Sequence, residues 1–337
     1  MINPIYEKLA KIVVEYSLEV KKGHTVYITG PAIAAELFQA LNLEIIKAGG
    51  HPLIVPSIDG ISEAFFKLAS DEQLTYVPKP EELIFTEYDC LIEILATYNT
   101  RKFSLIDPKK FSKYMGVPKR KELRKIEEER TSAGELKWIV IPYPCNAHAQ
   151  EANMDLFSYA EFVKKSLFLD RENPIEEWQK MQKKQDLIVE KLDKCKQIQV
   201  IGEDTDLSLS VEGRKWINSC GKFNLPDGEI FTSPVEDSVN GYIKFTYPGI
   251  YMGKEIEDVY LEFKNGVVIK SAAQKGEDIL QEILKVENAN KVGEFAIGTN
   301  YGVTKFTKNM LFDEKLGGTL HCALGYGEEI AGSKNKS

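Results

Sequence analysis

The feature that most constrains this chain is a change of hydrophobic period near residue 200. Before it, apolar residues recur at helical spacing, interrupted by short continuous apolar runs; after it, they alternate with polar residues at period two. Ile5, Leu9, Ile12, Val13 and Tyr16 form one stripe, which predicts an amphipathic helix from Ile2 to about Val20. Val26-Tyr-Ile-Thr then reads as a buried strand. A second helix is expected from Pro31 through Leu37, Leu41 and Ile45 to the Gly49-Gly50 stop, and Pro52-Leu-Ile-Val-Pro is the next strand. Strand, helix, strand in that order is a βαβ unit.

Cys90-Leu-Ile-Glu-Ile-Leu and Trp138-Ile-Val-Ile add two more strands, so residues 1–200 are expected to form a Rossmann-like α/β domain with a parallel sheet. An amphipathic helix over Trp178–Cys195 closes that part. From Asp206-Leu-Ser-Leu-Ser-Val-Glu onward, through Tyr242-Ile-Lys-Phe, Val259-Tyr-Leu-Glu-Phe and Val267-Val-Ile, the alternation predicts a strand-rich α+β domain over residues 201–337. A chain of 337 residues is long enough for two such cores.

Composition excludes several classes. With 43% hydrophobic and 28% charged residues, and a mean hydropathy of −0.26, the chain reads as an ordinary globular protein. No run approaches the roughly 20 apolar residues that span a bilayer, and the N-terminus has no apolar export segment, so a cytoplasmic protein without membrane contact is expected. Five scattered cysteines, with no Cys-x-x-Cys pair, support neither a disulfide framework nor a thiolate zinc site. A net charge of −8 argues against a nucleic-acid partner. The segment Lys119-Arg-Lys-Glu-Leu-Arg-Lys-Ile-Glu-Glu-Glu-Arg has nearly balanced charges at helical neighbour spacing, which is a solvated helix face.

Two familiar chemistries also fail. The turn Thr29-Gly30-Pro31-Ala32-Ile33-Ala34 lacks the second and third glycines of a dinucleotide fingerprint, and Pro31 removes a donor, which weighs against a nucleotide-dependent oxidoreductase. There is no Gly-x-Ser-x-Gly elbow, and the nearness of Cys145 to His148 reads as loop chemistry rather than a thiolate pair.

The second domain carries sharper signals. Pro226-Asp227-Gly228 is a turn signature, and Glu229 begins the strand leaving it on the same face as Phe231. Glu294 stands in an otherwise apolar run, Val292-Gly-Glu-Phe-Ala-Ile-Gly. His321 shares its strand face with Ala323 and Gly325, while Leu320, Cys322 and Leu324 take the other. Two acids and an imidazole with space beside them suit a divalent cation such as zinc. Plainer readings stand beside this one: Glu229 as the exposed first residue of a hairpin strand, Glu294 as an ordinary strand-start residue, and His321 as a hydrogen-bonded core histidine. No spacing rule ties the three together.

These segments resemble the M29 family of metalloaminopeptidases, the aminopeptidase T and aminopeptidase S group. The likeness runs in order through Pro142-Tyr-Pro-Cys-Asn-Ala-His-Ala-Gln, Asp227-Gly-Glu-Ile-Phe-Thr-Ser-Pro-Val, Asp237-Ser-Val-Asn-Gly, Leu261-Glu-Phe-Lys-Asn-Gly, Gly293-Glu-Phe-Ala-Ile-Gly-Thr-Asn and Leu311-Phe-Asp-Glu-Lys-Leu-Gly-Gly-Thr-Leu-His-Cys-Ala-Leu-Gly. It implies a hydrolase that removes N-terminal residues from peptides with two divalent ions, zinc or cobalt, in a homodimer. Glu229, Glu294 and His321 would be metal ligands, Glu229 a candidate general base and Tyr326 a candidate site tyrosine, although it stands slightly closer to His321 than in the family pattern. Family members continue from a segment matching Gly332-Ser-Lys-Asn-Lys-Ser into a His-x-Asp motif that supplies further ligands. The sequence stops at Ser337, so the second domain is expected to lack its C-terminal end. The rival expectation is a peptide-binding protein on the same fold, with an incomplete metal site and no turnover.

Overall fold

Asn3 caps the first helix, its side chain accepting a hydrogen bond from the Ile5 amide, and Pro4 supplies a preset first turn. The computed structural model describes residues 3–251 and 253–335, so Ile2 and Ser337 lie outside the described residues. The helix Pro4–Lys11 runs into a wider π-helical stretch, Ile12–Ser17, in which Ile12, Val13, Val14, Tyr16 and Ser17 are buried.

The chain divides into two compact units. One comprises residues up to Ile175 together with Gly221–Pro226; the other comprises Glu176–Cys220 together with the residues from Asp227 on. The helix Pro174–Leu192 therefore belongs, from Glu176 on, with the strands that follow it, ahead of the period change near residue 200. Side-chain chemistry explains why. Gln185 donates to the carbonyls of Ser219 and Glu229, and Asn218 donates to the Gln182 carbonyl and Asp186. A change of period marks where strands begin; it does not say which core the preceding helix serves.

In the first unit β1 (Thr25–Pro31), β2 (His51–Ser57), β3 (Cys90–Leu95) and β4 (Lys137–Pro142) form an all-parallel sheet in the order β2-β1-β3-β4. Val26, Ile28, Cys90, Ile92, Ile94, Ile139 and Ile141 are buried, as expected for short apolar strands covered by helices. Pro31 ends β1 instead of opening the second helix; a 3-10 turn, Ala32–Ala34, intervenes before Ala35–Lys47. Gly30 makes the strand end possible, since a Cβ there would sit 2.6 Å from the Ile94 Cβ. The mixed-charge segment forms the helix Pro118–Ser132 with Leu123 as its buried residue.

The second unit is built from antiparallel strands. β5 (Gln197–Gly202) and β6 (Thr205–Ser210) open it, followed by β7 (Ile217–Ser219), β8 (Glu229–Thr232) and β9 (Asn240–Lys244). A hairpin, β10 (Gly249–Tyr251) and β11 (Lys254–Ile256), precedes β12 (Tyr260–Lys264) and β13 (Val267–Ala272). The helix Glu277–Leu284 leads to β14 (Val292–Gly298), and β15 (Leu320–Leu324) is the last strand. They assemble as a five-stranded sheet, β13-β12-β9-β6-β5, and a four-stranded sheet, β15-β14-β8-β7. Leu207, Leu209, Ile243, Leu261 and Phe263 from the larger sheet and Ile230, Val292 and Phe295 from the smaller share one apolar core with Trp216. No helix among the described residues is long and apolar enough to cross a membrane.

Candidate metal centre

The register of the four-stranded sheet brings the three predicted residues together. On the central strand β14, Gly298 pairs with Glu229 of β8, Ala296 pairs with His321 of β15, and Glu294 pairs with Ala323. Paired residues share a face and faces alternate along each strand, so Glu229, Glu294 and His321 project from the same side. Gly298 lets the backbone of Glu314 and Leu316 pass close over the strand, which brings Lys315 to this face. On the opposite side Ile230, Phe295, Ile297, Leu320, Cys322 and Leu324 pack into the apolar core. A bulge between Val292 and Glu294 resets the alternation, which lets Val292 enter the core while Glu294 points away from it.

One ligand atom from each of the three lies within 4.8 Å of the others. His321 Nε2 stands 3.2 Å from Glu294 Oε1 and 3.2 Å from Glu229 Oε2, and it donates a hydrogen bond to the former. The other Glu229 oxygen, Oε1, accepts from the Lys315 ammonium at 2.7 Å, and Lys315 also reaches Glu314 Oε2 at 2.9 Å. The Lys315 side chain is 2% exposed and that of Glu229 8%, against 22% for Glu294.

Behind Glu229 the turn is equally dense. Asp227 is wholly buried, accepting from Ser219 Oγ at 3.0 Å and from the Gly228 amide at 2.9 Å, while Asn300 Nδ2 donates to its carbonyl. Gly228 has φ +112, and a Cβ there would lie 2.8 Å from the Asn300 Cβ. Glycine is thus required for Asn300 to close over the turn.

Charge follows from this packing. Burial alone would raise the Glu229 carboxyl, but the Lys315 ammonium and His321 beside it hold it below the usual carboxylate range. Burial pulls the His321 imidazole down; hydrogen bonds to Glu229 and Glu294 outweigh that and lift it to about 9, so the ring is cationic at neutral pH. Glu229, Glu314 and Asp227 keep Lys315 charged against burial.

A family model described as thermophilic metalloprotease (M29) matches residues 3–337. The chain belongs to the M29 family. Relatives of this M29 protein include Aminopeptidase 2 of Geobacillus stearothermophilus, 26% identical over 95% of this chain and 83% of that protein, and Aminopeptidase AmpS of Bacillus subtilis (strain 168), 24% identical over 97% and 86%. Among solved structures, wild-type AmpT from Thermus thermophilus aligns with a TM-score of 0.84 at 20% identity, covering 98% of this chain and 87% of that one. A 2,5-dihydroxypyridine dioxygenase from Pseudomonas putida KT2440 aligns with a TM-score of 0.55 at 10% identity over 98% of this chain and 88% of that one. Proteins named for such different chemistries share this architecture, so the chemistry must be argued from side chains.

As an M29 metalloprotease the chain calls for a divalent metal, and the residues present fit one. Glu229 Oε2 is buried with only the His321 ring beside it, and His321 Nδ1 is buried without a hydrogen bond. Two carboxylates and an imidazole are donors suited to a borderline divalent ion, and three protein ligands leave a position for reactants, the pattern of catalytic rather than structural sites.

The remaining candidates fare differently. Tyr326 follows β15 on the strand-exit turn and is 42% exposed. Cys145 is buried at the cap of the helix Asn146–Glu151, no hydrogen bond joins it to His148, and the His148 ring instead meets Tyr159 edge-on. Lys315 is the residue that sequence reasoning passed over. A single lysine between acids and a glycine turn carries no periodic signal; only its place inside a family-like segment, Asp313-Glu-Lys-Leu-Gly-Gly, pointed to it.

Proposed function

We propose that Glu229, Glu294 and His321 hold the divalent ion, zinc or cobalt, with which this chain removes N-terminal residues from peptides. As a member of M29 the chain is a metallo-aminopeptidase, and its substrates are peptides. The convergence of the three side chains on one sheet face carries the assignment of the site.

When bound, such an ion polarises a peptide carbonyl and makes water acidic enough to be a nucleophile near neutral pH. The chain's own groups do the rest. Proton transfer needs a carboxylate that takes a proton from the attacking water and returns it to the departing amine. Glu229 suits this poorly, because Lys315 occupies one of its oxygens and His321 stands beside the other. Glu294, less buried, is the better acceptor: each carboxylate offers one oxygen to the ion, and the second oxygen of Glu294 remains for the proton. The Tyr326 phenol is assigned as a donor to the oxygen that gains charge in the transition state. His321 must give up its Nε2 proton to become a ligand.

The three residues account for one ion; the second ion of the family pattern needs further ligands. A homodimer in the cytoplasm completes the reading. In the deciding experiment, purified protein hydrolyses leucine p-nitroanilide, loses activity in EDTA and recovers it with zinc or cobalt, while elemental analysis counts the ions. Absence of metal-dependent turnover across a panel of aminoacyl p-nitroanilides would refute the assignment.

A further inference from the structure

We propose that Lys315 is a positioning residue that aims Glu229 at the metal, a role that rests on the metal-centre reading above. A buried ammonium is an unusual choice for stability alone, since replacing buried ion pairs by apolar side chains is often neutral or favourable. Its retention here matches a geometric task. A carboxylate has two equivalent oxygens and a torsion that rotates one into the place of the other; the 2.7 Å bond from Lys315 Nζ engages Oε1 and leaves Oε2 on the His321 side.

Both ends of this clamp are anchored. The Lys315 amide donates to the Phe312 carbonyl and its own carbonyl accepts from the Asn300 amide at 3.0 Å, while the Glu229 carbonyl accepts from Gln185 at 2.6 Å. Glu314 supplies a second carboxylate to the ammonium at 2.9 Å, so Lys315 does not depend on Glu229 alone for charge compensation. Outer-shell partners of this kind hold a ligand's orientation, and their loss typically costs 10–100-fold in metal affinity.

The test is chelator-competed zinc titration of the metal-free full chain, with circular dichroism confirming the fold at the titration temperature. Lys315→Met is expected to weaken zinc binding about 10–100-fold and to change the visible absorption of the cobalt-loaded protein, because Glu229 is no longer held. Lys285→Ala, an exposed residue outside the clamp, is expected to match wild type in both readouts. Wild-type zinc affinity and an unchanged cobalt spectrum in folded Lys315→Met would overturn the proposal. If Lys315→Met does not fold, Lys315→Gln, an uncharged donor too short to reach Oε1 in the same way, carries the same test with the same overturning result. Failure of wild type itself to bind zinc would overturn the metal-centre reading and this role together.

Discussion

Two glycine turns, one in each unit, look alike in sequence and differ in what they serve. Gly30 ends β1 and Gly228 precedes β8; each has a positive φ, and each would clash if it carried a Cβ. Around Gly30 the obstructing atoms all belong to Ile94, whereas Gly228 lies under Asn300 and Met181 and is flanked by the buried carboxylates Asp227 and Glu229. A glycine reports that backbone or side chain approaches closely. Buried charge beside it reports chemistry, because ions are kept from water only where partners or a ligand compensate them.

The largest effect should come from the proposed ligands. Glu294→Gln and His321→Ala are each expected to lower metal-dependent peptidase activity about 100-fold or more, with zinc binding lost in parallel. Near-normal turnover in either variant would remove that residue from the site. Next come the glycines. Gly30→Ala and Gly228→Ala should each destabilise by about 2–4 kcal/mol in denaturant titrations, but only Gly228→Ala should also weaken zinc binding, since it displaces Asn300 from the turn that carries Glu229. Equal zinc affinities in the two variants would break the contrast.

A subtler effect concerns pH. The His321 ring rises from 6.5 to about 9 on folding without metal, so protonation stabilises the metal-free protein. That contribution is complete below pH 6.5 and fades as pH climbs through about 9. The stability difference between wild type and His321→Gln should therefore shrink across that window, and zinc affinity should rise with pH as the competing proton leaves. A pH-independent difference would show that the imidazole is not held by the two carboxylates. The smallest effect sets the baseline: the Lys285–Glu282 pair is 68% and 73% exposed, so Lys285→Ala should change stability by less than about 0.5 kcal/mol.

Legibility in the sequence followed the same division. Period two placed Glu229 and His321 on definite strand faces, and small neighbours marked the open side; the structure brings both to Glu294 through β14. The four strands of the parallel sheet were readable from apolar runs, while the extra turn after Pro31 was not, because proline suits both a strand end and a helix start. Lys315 was hidden for a different reason. Its partners come from 86 residues away in sequence as well as from the adjacent Glu314, and such a contact leaves no trace in local pattern.

The bulge at the start of β14 also bears on how the chain finds its fold. A one-residue slip in strand pairing exchanges the two faces of a strand. In β14 such a slip would drive Glu294 among Ile230 and Leu320 and bring Phe295 out toward the ligand side, at a penalty on the order of several kcal/mol for the buried charge. A misaligned sheet is therefore disfavoured by the same carboxylate that is proposed to hold the ion, so the candidate site also specifies the strand register.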